Sequence, residues 1–245
     1  MNKKHWRKPI AIAIVALWLI APAAMPYVKA ERNPNPMVLP PNSRPFGMTY
    51  GEWSAKWWQW ALSIPAPENP LLDETGALCG SGQSGKVFFL AGVINVSGTA
   101  TRNCVVPAGK ALFFPILNFE ADNYVCVDPD TNLTIDELRD LAKSFMDMAT
   151  DLECEVDGVP VEDLMGRYRA VSPPFEITLP ENNVFPVAGC TDPFPLTFPA
   201  VSDGYWVMLA PLSVGHHTIH FHGSLPSFNF TLDITYNLTV VARKP

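Results

Sequence analysis

Apolar and polar positions alternate most cleanly near the end of the chain. Phe230, Leu232, Ile234, Tyr236, Leu238 and Val240 interleave with Thr231, Asp233, Thr235, Asn237 and Thr239. A strand places alternate residues on opposite faces, so this pattern predicts one buried and one wet face, as in an antiparallel sheet. Shorter apolar runs predict strands over 87–93, 111–117, 152–156, 160–164, 175–179 and 205–210. Asp157-Gly158, between two of them, is a hairpin-turn signal. A different period governs Trp53, Trp57, Trp60, Ala61 and Ile64, which recur at helical spacing. Thr49 and Glu52 supply a capping box at the start of that helix, and Pro65 and Pro67 stop it. A second capping box, Thr134 to Glu137, opens a stripe of Leu138, Leu141, Ala142, Phe145 and Met148. Together these periods predict a mainly β protein. It is read as an antiparallel β-sandwich, immunoglobulin-like or jelly-roll-like, with one or two added helices near 50–64 and 135–149.

The first thirty residues follow neither period. Lys3, Lys4, Arg7 and Lys8 precede a twelve-residue apolar run, Ile10 to Ala21. That run is short of the roughly 20 residues a membrane span needs. A basic head and a short apolar segment make a secretory signal peptide, with Val28-Lys29-Ala30 as its cleavage site. Residues 31–48, rich in Pro and Asn, read as an extended arm, and 49–245 as one sandwich domain. Composition agrees, since 25 Pro and only 17% charged residues argue against a helical bundle. Cleavage removes five bases and no acid, leaving 12 bases against 24 acids in the mature chain. Such a surface repels nucleic acid and anionic lipid, and no second long apolar run offers stable membrane insertion. The expected location is secreted or periplasmic.

Export permits disulfides. Five cysteines follow the signal, at Cys79, Cys104, Cys126, Cys154 and Cys190, and none forms a C-x-x-C pair. Several pairings are open. Moderate loop lengths favour Cys79–Cys104 and Cys126–Cys154, which leaves Cys190 odd.

Tyr50-Gly51-Glu52-Trp53-Ser54-Ala55-Lys56-Trp57-Trp58-Gln59-Trp60-Ala61 resembles a signature of exported bacterial proteins with no known function. Gly82-Gln83-Ser84-Gly85, 88–92, 106–115 and Val156-Asp157-Gly158 are similar to further blocks of that group. The resemblance implies export and no particular activity. Separately, 212–219 resembles the closing hairpin of bacterial immunoglobulin-like domains.

Few motifs carry chemistry. Gly80 to Lys86 matches a phosphate-binding loop until Val87 stands where a hydroxyl is needed, so it reads as a glycine turn before a strand. Asp128, Asp130 and Asn132 have calcium-loop spacing, but Leu133 and Arg139 occupy the glycine and glutamate positions. Trp58 falls off the helical stripe and is the ring free to stack on a ligand. Glu52, Glu120 and Asp122 are carboxylates in notable neighbourhoods without an assignable role. His216, His217, His220 and His222 crowd one strand, with His216, His220 and His222 on its wet face. A His-x-His pair can close on one ion, so His220 and His222, with Asp233 from the next strand and His216 if the strand bends, are candidate ligands for zinc or copper. The leading expectation is a non-catalytic binding or structural protein of the envelope or extracellular space, with a protein or glycan partner. Metal binding or a metal-dependent enzyme on the histidine strand, and a glycan-binding module, are the alternatives.

Overall fold

The computed structural model describes residues 37–93, 98–125, 130–186 and 197–242. The expected signal peptide, the arm before Met37, Asp128, Cys126 and Cys190 lie outside them. From Met37 the arm is pinned rather than free: Val38 bridges to Leu209, and the Tyr50 hydroxyl donates to the Leu39 carbonyl at 2.5 Å. The first helix, α1 (Tyr50–Ser63), starts as its capping box predicts. The Thr49 amide donates to Glu52 Oε2 at 2.6 Å, and the Glu52 amide to Thr49 Oγ1 at 3.1 Å. Its stripe is core: Trp57, Trp60, Ala61 and Ile64 are buried, with Trp53 packed at the margin.

Among the described residues ten strands follow, interrupted by two helices. They are β1 (Val87–Phe89), β2 (Gly98–Pro107), β3 (Ala111–Ala121), β4 (Thr150–Val156) and β5 (Val159–Pro160). Next come β6 (Arg169–Val171), β7 (Phe175–Thr178), β8 (Thr197–Leu209), β9 (Gly215–Leu225) and β10 (Phe230–Val241). Helix α2 (Ile135–Met146) lies between β3 and β4, and the single turn α3 (Leu164–Arg167) between β5 and β6. One sheet runs β1-β3-β8-β6 with β7 also on β8, and the other runs β2-β10-β9-β4-β5. The result is a β-sandwich with added helices. Its sheets are mixed rather than purely antiparallel, because β1 pairs parallel to β3 and β2 parallel to β10. Aromatic rings join the layers: Trp57 of α1 meets Trp206 of β8 edge-on at 5.5 Å, and Phe114 of β3 stacks on Phe221 of β9 at 5.2 Å.

Two local expectations are corrected. The predicted strand over 160–164 ends at Pro160, because Asp163 takes a left-handed φ of 60° and Leu164 starts α3. A ten-residue strand, β2, was not predicted at all. Its inward row is Ala100, Arg102, Cys104 and Val106. A buried arginine in that row and an exposed Val105 in the outward one disguise the alternation. Arg102 is admitted because its Nε donates to the Asp73 carbonyl at 2.7 Å, and its Nη1 to the Ala91 carbonyl and the Tyr236 hydroxyl. The glycine segment before β1 is a turn, as expected, with positive φ at Gly82 and Gly85.

The Cys79–Cys104 disulfide is present, joining the connection after α1 to β2. Cys126, the partner expected for Cys154, lies outside the described residues. Cys154 is a free thiol on the inward face of β4, opposite Phe221, where burial pushes its ionisation far up. Among the described residues no helix is long and apolar enough to cross a membrane.

Candidate functional site

Strand β1 covers only Ala111–Phe113 of β3. Beyond Phe113, β3 bulges between Pro115 and Leu117, and among the described residues only β8 pairs with it. A cavity of about 490 Å³ lies along this part of the strand. Helix α1 contributes Trp57 and Trp58 to its wall, and α2 contributes Leu141 and Phe145. Leu225, Phe228, Phe230 and Leu232 come from the β9–β10 hairpin, and Leu71, Gly92, Val93, Val125 and Phe185 from connections. Asn118 and Glu120 project from one face of β3, Phe119 and Ala121 from the other, yet all four line the cavity. The cavity therefore wraps the edge of the strand. Phe119 stacks on Phe145 at 4.0 Å and Phe145 on Phe228 at 4.7 Å, which ties helix, sheet and hairpin into one aromatic wall.

The polar atoms in this wall are unusual. Five buried side-chain nitrogen or oxygen atoms among the described residues have no hydrogen-bond partner, and three belong to cavity residues: Trp58 Nε1, Asn118 Nδ2 and Glu120 Oε1. Each such atom costs about 1–3 kcal/mol of desolvation, and none of the three presents accessible surface to the cavity. The contrast within α1 is direct. The indoles of Trp53, Trp57 and Trp60 each donate at 2.9 Å to a loop carbonyl, of Pro45, Leu90 and Ser81 respectively. Trp58 alone of the four does not.

Glu120 and Asp122 form a carboxyl pair at the same end of β3. Burial pushes the Glu120 carboxyl well above its ordinary range, and the adjacent Asp122 charge and the hydrogen bond between them push the same way. Burial also raises Asp122, but the Val125 amide at 2.7 Å, the Tyr124 amide and the Glu120 hydroxyl oppose that rise. Both carboxyls are thus pushed toward their neutral forms, Glu120 the more strongly. Among the described lining residues there is no Lys, Arg or His to pair with either carboxyl.

The histidine strand lies elsewhere, on the outer face of the second sheet. His220 Nε2 is 3.0 Å from Asp233 Oδ1, and His222 Nδ1 is 3.8 Å from Asp233 Oδ2. His216 instead faces Thr239, at 3.2 Å. Asp233 is thus placed beside His220 and His222 as expected, while His216 stays apart because the strand does not bend. Among the described residues no three His, Cys, Asp or Glu side chains are grouped to hold a metal ion. The fourth histidine makes a Ser-His-Asp arrangement: His217 Nδ1 is 2.7 Å from Asp157 Oδ2, and Nε2 is 3.3 Å from Ser213 Oγ. That Nε2 is nearer the Ser213 carbonyl, at 3.0 Å. Burial disfavours the imidazolium, but Asp157 and that carbonyl outweigh it and raise the His217 pKa. The Nε2 nitrogen is engaged by that carbonyl rather than by the hydroxyl, so the geometry is that of a clamp between two turns.

Trp58, the ring singled out as a stacking surface, is half-buried and packed edge-on against Trp57 at 5.1 Å. It is a cavity wall rather than an open platform. Asn118 went unnoticed in the sequence, and Glu120 and Asp122 had no role. The signal was there: polar residues at 118, 120 and 122 alternate inside an otherwise apolar strand. Compared with protein-family models, curated proteins and solved structures, the chain has no significant match.

Proposed function

We propose that the protein is an exported, non-catalytic binding protein of the cell envelope or extracellular space, carrying a small molecule in the cavity beside β3. The observation that carries this reading is a mostly apolar cavity of about 490 Å³, walled by both longer helices, β3 and the β9–β10 hairpin and lined at one end by Asn118, Glu120 and Asp122. Ligand pockets of this size are lined by apolar groups with a few polar atoms that fix orientation. Export is supported by the basic-then-apolar start of the chain and by the Cys79–Cys104 disulfide. The same residues favour a glycan as the second reading, since Trp58 beside Asn118, Glu120 and Asp122 could stack on and hydrogen-bond a sugar ring. The remaining walls of Leu, Val and Phe favour a ligand with an apolar body.

Titration with N-phenylnaphthylamine, an uncharged dye that brightens in apolar surroundings, tests the binding reading. Saturable uptake at one site per chain is expected in the purified protein. Gly92→Leu should abolish it without lowering the melting temperature, because a Cβ there meets only Leu232, at 3.6 Å, in the cavity lining. Leu141→Trp blocks from the α2 side. No saturable uptake by the wild type, or uptake untouched in both variants, would overturn the reading.

A further inference from the structure

Resting on the cavity as the binding site, we propose that Arg102 and Tyr236, which do not line it, are positioning residues for its Gly92–Val93 wall. The chain leaves the first sheet after β1 and joins the second at β2, and residues 90–93 lie outside any strand. Buried backbone without a sheet partner needs side chains to satisfy it. Leu90 still reaches β3, its amide donating to the Phe113 carbonyl at 3.1 Å, while its carbonyl accepts from Trp57 Nε1. At Ala91 side chains take over. Its amide donates to the Tyr236 hydroxyl at 3.1 Å, and its carbonyl accepts from that hydroxyl at 2.8 Å and from Arg102 Nη1 at 2.6 Å. Arg102 Nη1 also donates to the hydroxyl, at 2.9 Å, so the single donor and both acceptor sites of the hydroxyl are in use. Stability alone does not account for the arginine. It is buried, with Nη2 lacking a partner, in an inward row otherwise made of Ala100, Cys104 and Val106. Replacing buried charge by apolar side chains of similar volume is often neutral or stabilising. What Arg102 adds is a forked donor that ties the carbonyls of Asp73 and Ala91 together, which no apolar residue does. Gly92 and Val93 follow Ala91 directly. The pinned backbone therefore holds this wall before a ligand arrives, and a preformed wall spares the ligand the cost of ordering it.

Titration of Tyr236→Phe with N-phenylnaphthylamine tests the proposal. The variant keeps the ring over which the Arg102 guanidinium lies at 5.5 Å and removes the hydroxyl, leaving the Ala91 amide without its acceptor. Dye affinity is expected to fall about tenfold, the factor one unpaired buried group imposes. The emission of the bound dye should shift to the red as water enters past the loosened wall. Val156→Ala, a core truncation in β4 outside the lining, controls for lost stability alone. It should lower the melting temperature and leave both dye readings at wild-type values. Either reading unchanged in folded Tyr236→Phe, or an equal loss in Val156→Ala, would overturn the proposal while wild-type uptake leaves the cavity reading intact. Absence of uptake by the wild type would remove both. Hydrogen exchange in the wild type needs no variant. The Ala91 amide should already be protected in the free protein. Fast exchange there that slows only with dye bound would mean that the ligand orders the wall, and it too would overturn the proposal.

Discussion

His217 shows how one side chain joins distant turns. It links Asp157, in the β4–β5 hairpin, to Ser213, in the loop before β9, and the Thr218 amide donates to the second Asp157 oxygen at 2.8 Å. Burial opposes the Asp157 charge too, but these hydrogen bonds hold its pKa below the ordinary carboxylate range. The sign of the pH dependence follows from the two directions. His217, raised on folding, contributes below its unfolded pKa and loses that contribution as pH rises through the folded value. Asp157, lowered on folding, contributes above its unfolded pKa and loses it as pH falls through the folded value. The clamp is therefore strongest in mildly acidic solution. Urea midpoints measured from about pH 5 to about pH 8 should fall more for wild type than for His217→Gln as the imidazolium discharges. Parallel profiles would mean that the clamp adds nothing.

Among the elements, α2 depends most on its own start. Its Thr134–Glu137 box closes reciprocally at 2.7 Å and 3.3 Å, and its far end is held by Arg169, which reaches Asp147 at 2.6 Å and the buried Asp203 at 2.7 Å. Thr134→Ala should cost about 1 kcal/mol in a denaturation series, the typical value of a lost N-cap. Because Leu141 and Phe145 of this helix wall the cavity, the variant should also weaken dye uptake by N-phenylnaphthylamine. Undiminished stability would show that packing on β8 holds α2 without the cap. Both helices were legible in sequence because a capping box and a 3.6-residue stripe are local features. The Asp157-Gly158 turn was legible for the same reason: both residues take positive φ, 52° and 75°, as the dipeptide suggests. Strand β2 was not, because the groups that bond the buried Arg102, at Asp73, Ala91 and Tyr236, lie outside the strand.

For the whole molecule, the Cys79–Cys104 bridge matters most, since it closes a separation of 25 residues around β1 and the glycine turn. Loop-closure entropy gives it roughly 3 kcal/mol of stabilisation. The Cys79→Ala/Cys104→Ala protein should unfold at correspondingly lower denaturant, with a slope little altered. Wild type treated with a reductant before unfolding should match it, and equal midpoints for reduced and oxidised protein would contradict the estimate. Cys154 should stay unlabelled by thiol reagents until unfolding, as its burial dictates.

The sequence by itself determined whatever is written in neighbouring residues: the mainly β class, both helix starts, the hairpin turn, and the wet and buried faces of β9 and β10. It also placed His220, His222 and Asp233 on one face, because strand periodicity and an antiparallel neighbour suffice for that. Only the tertiary structure decided what those residues do. It set Asp233 beside two imidazoles, left Cys154 a free thiol, and turned Trp58 from a surface ring into a cavity wall. The cavity itself draws on α1, α2, β3 and the β9–β10 hairpin, from Trp57 to Leu232. No local pattern encodes a space between such distant elements. Periodicity tells which side of an element is buried, and packing alone tells whether the buried side meets another side chain or an opening that a ligand can fill.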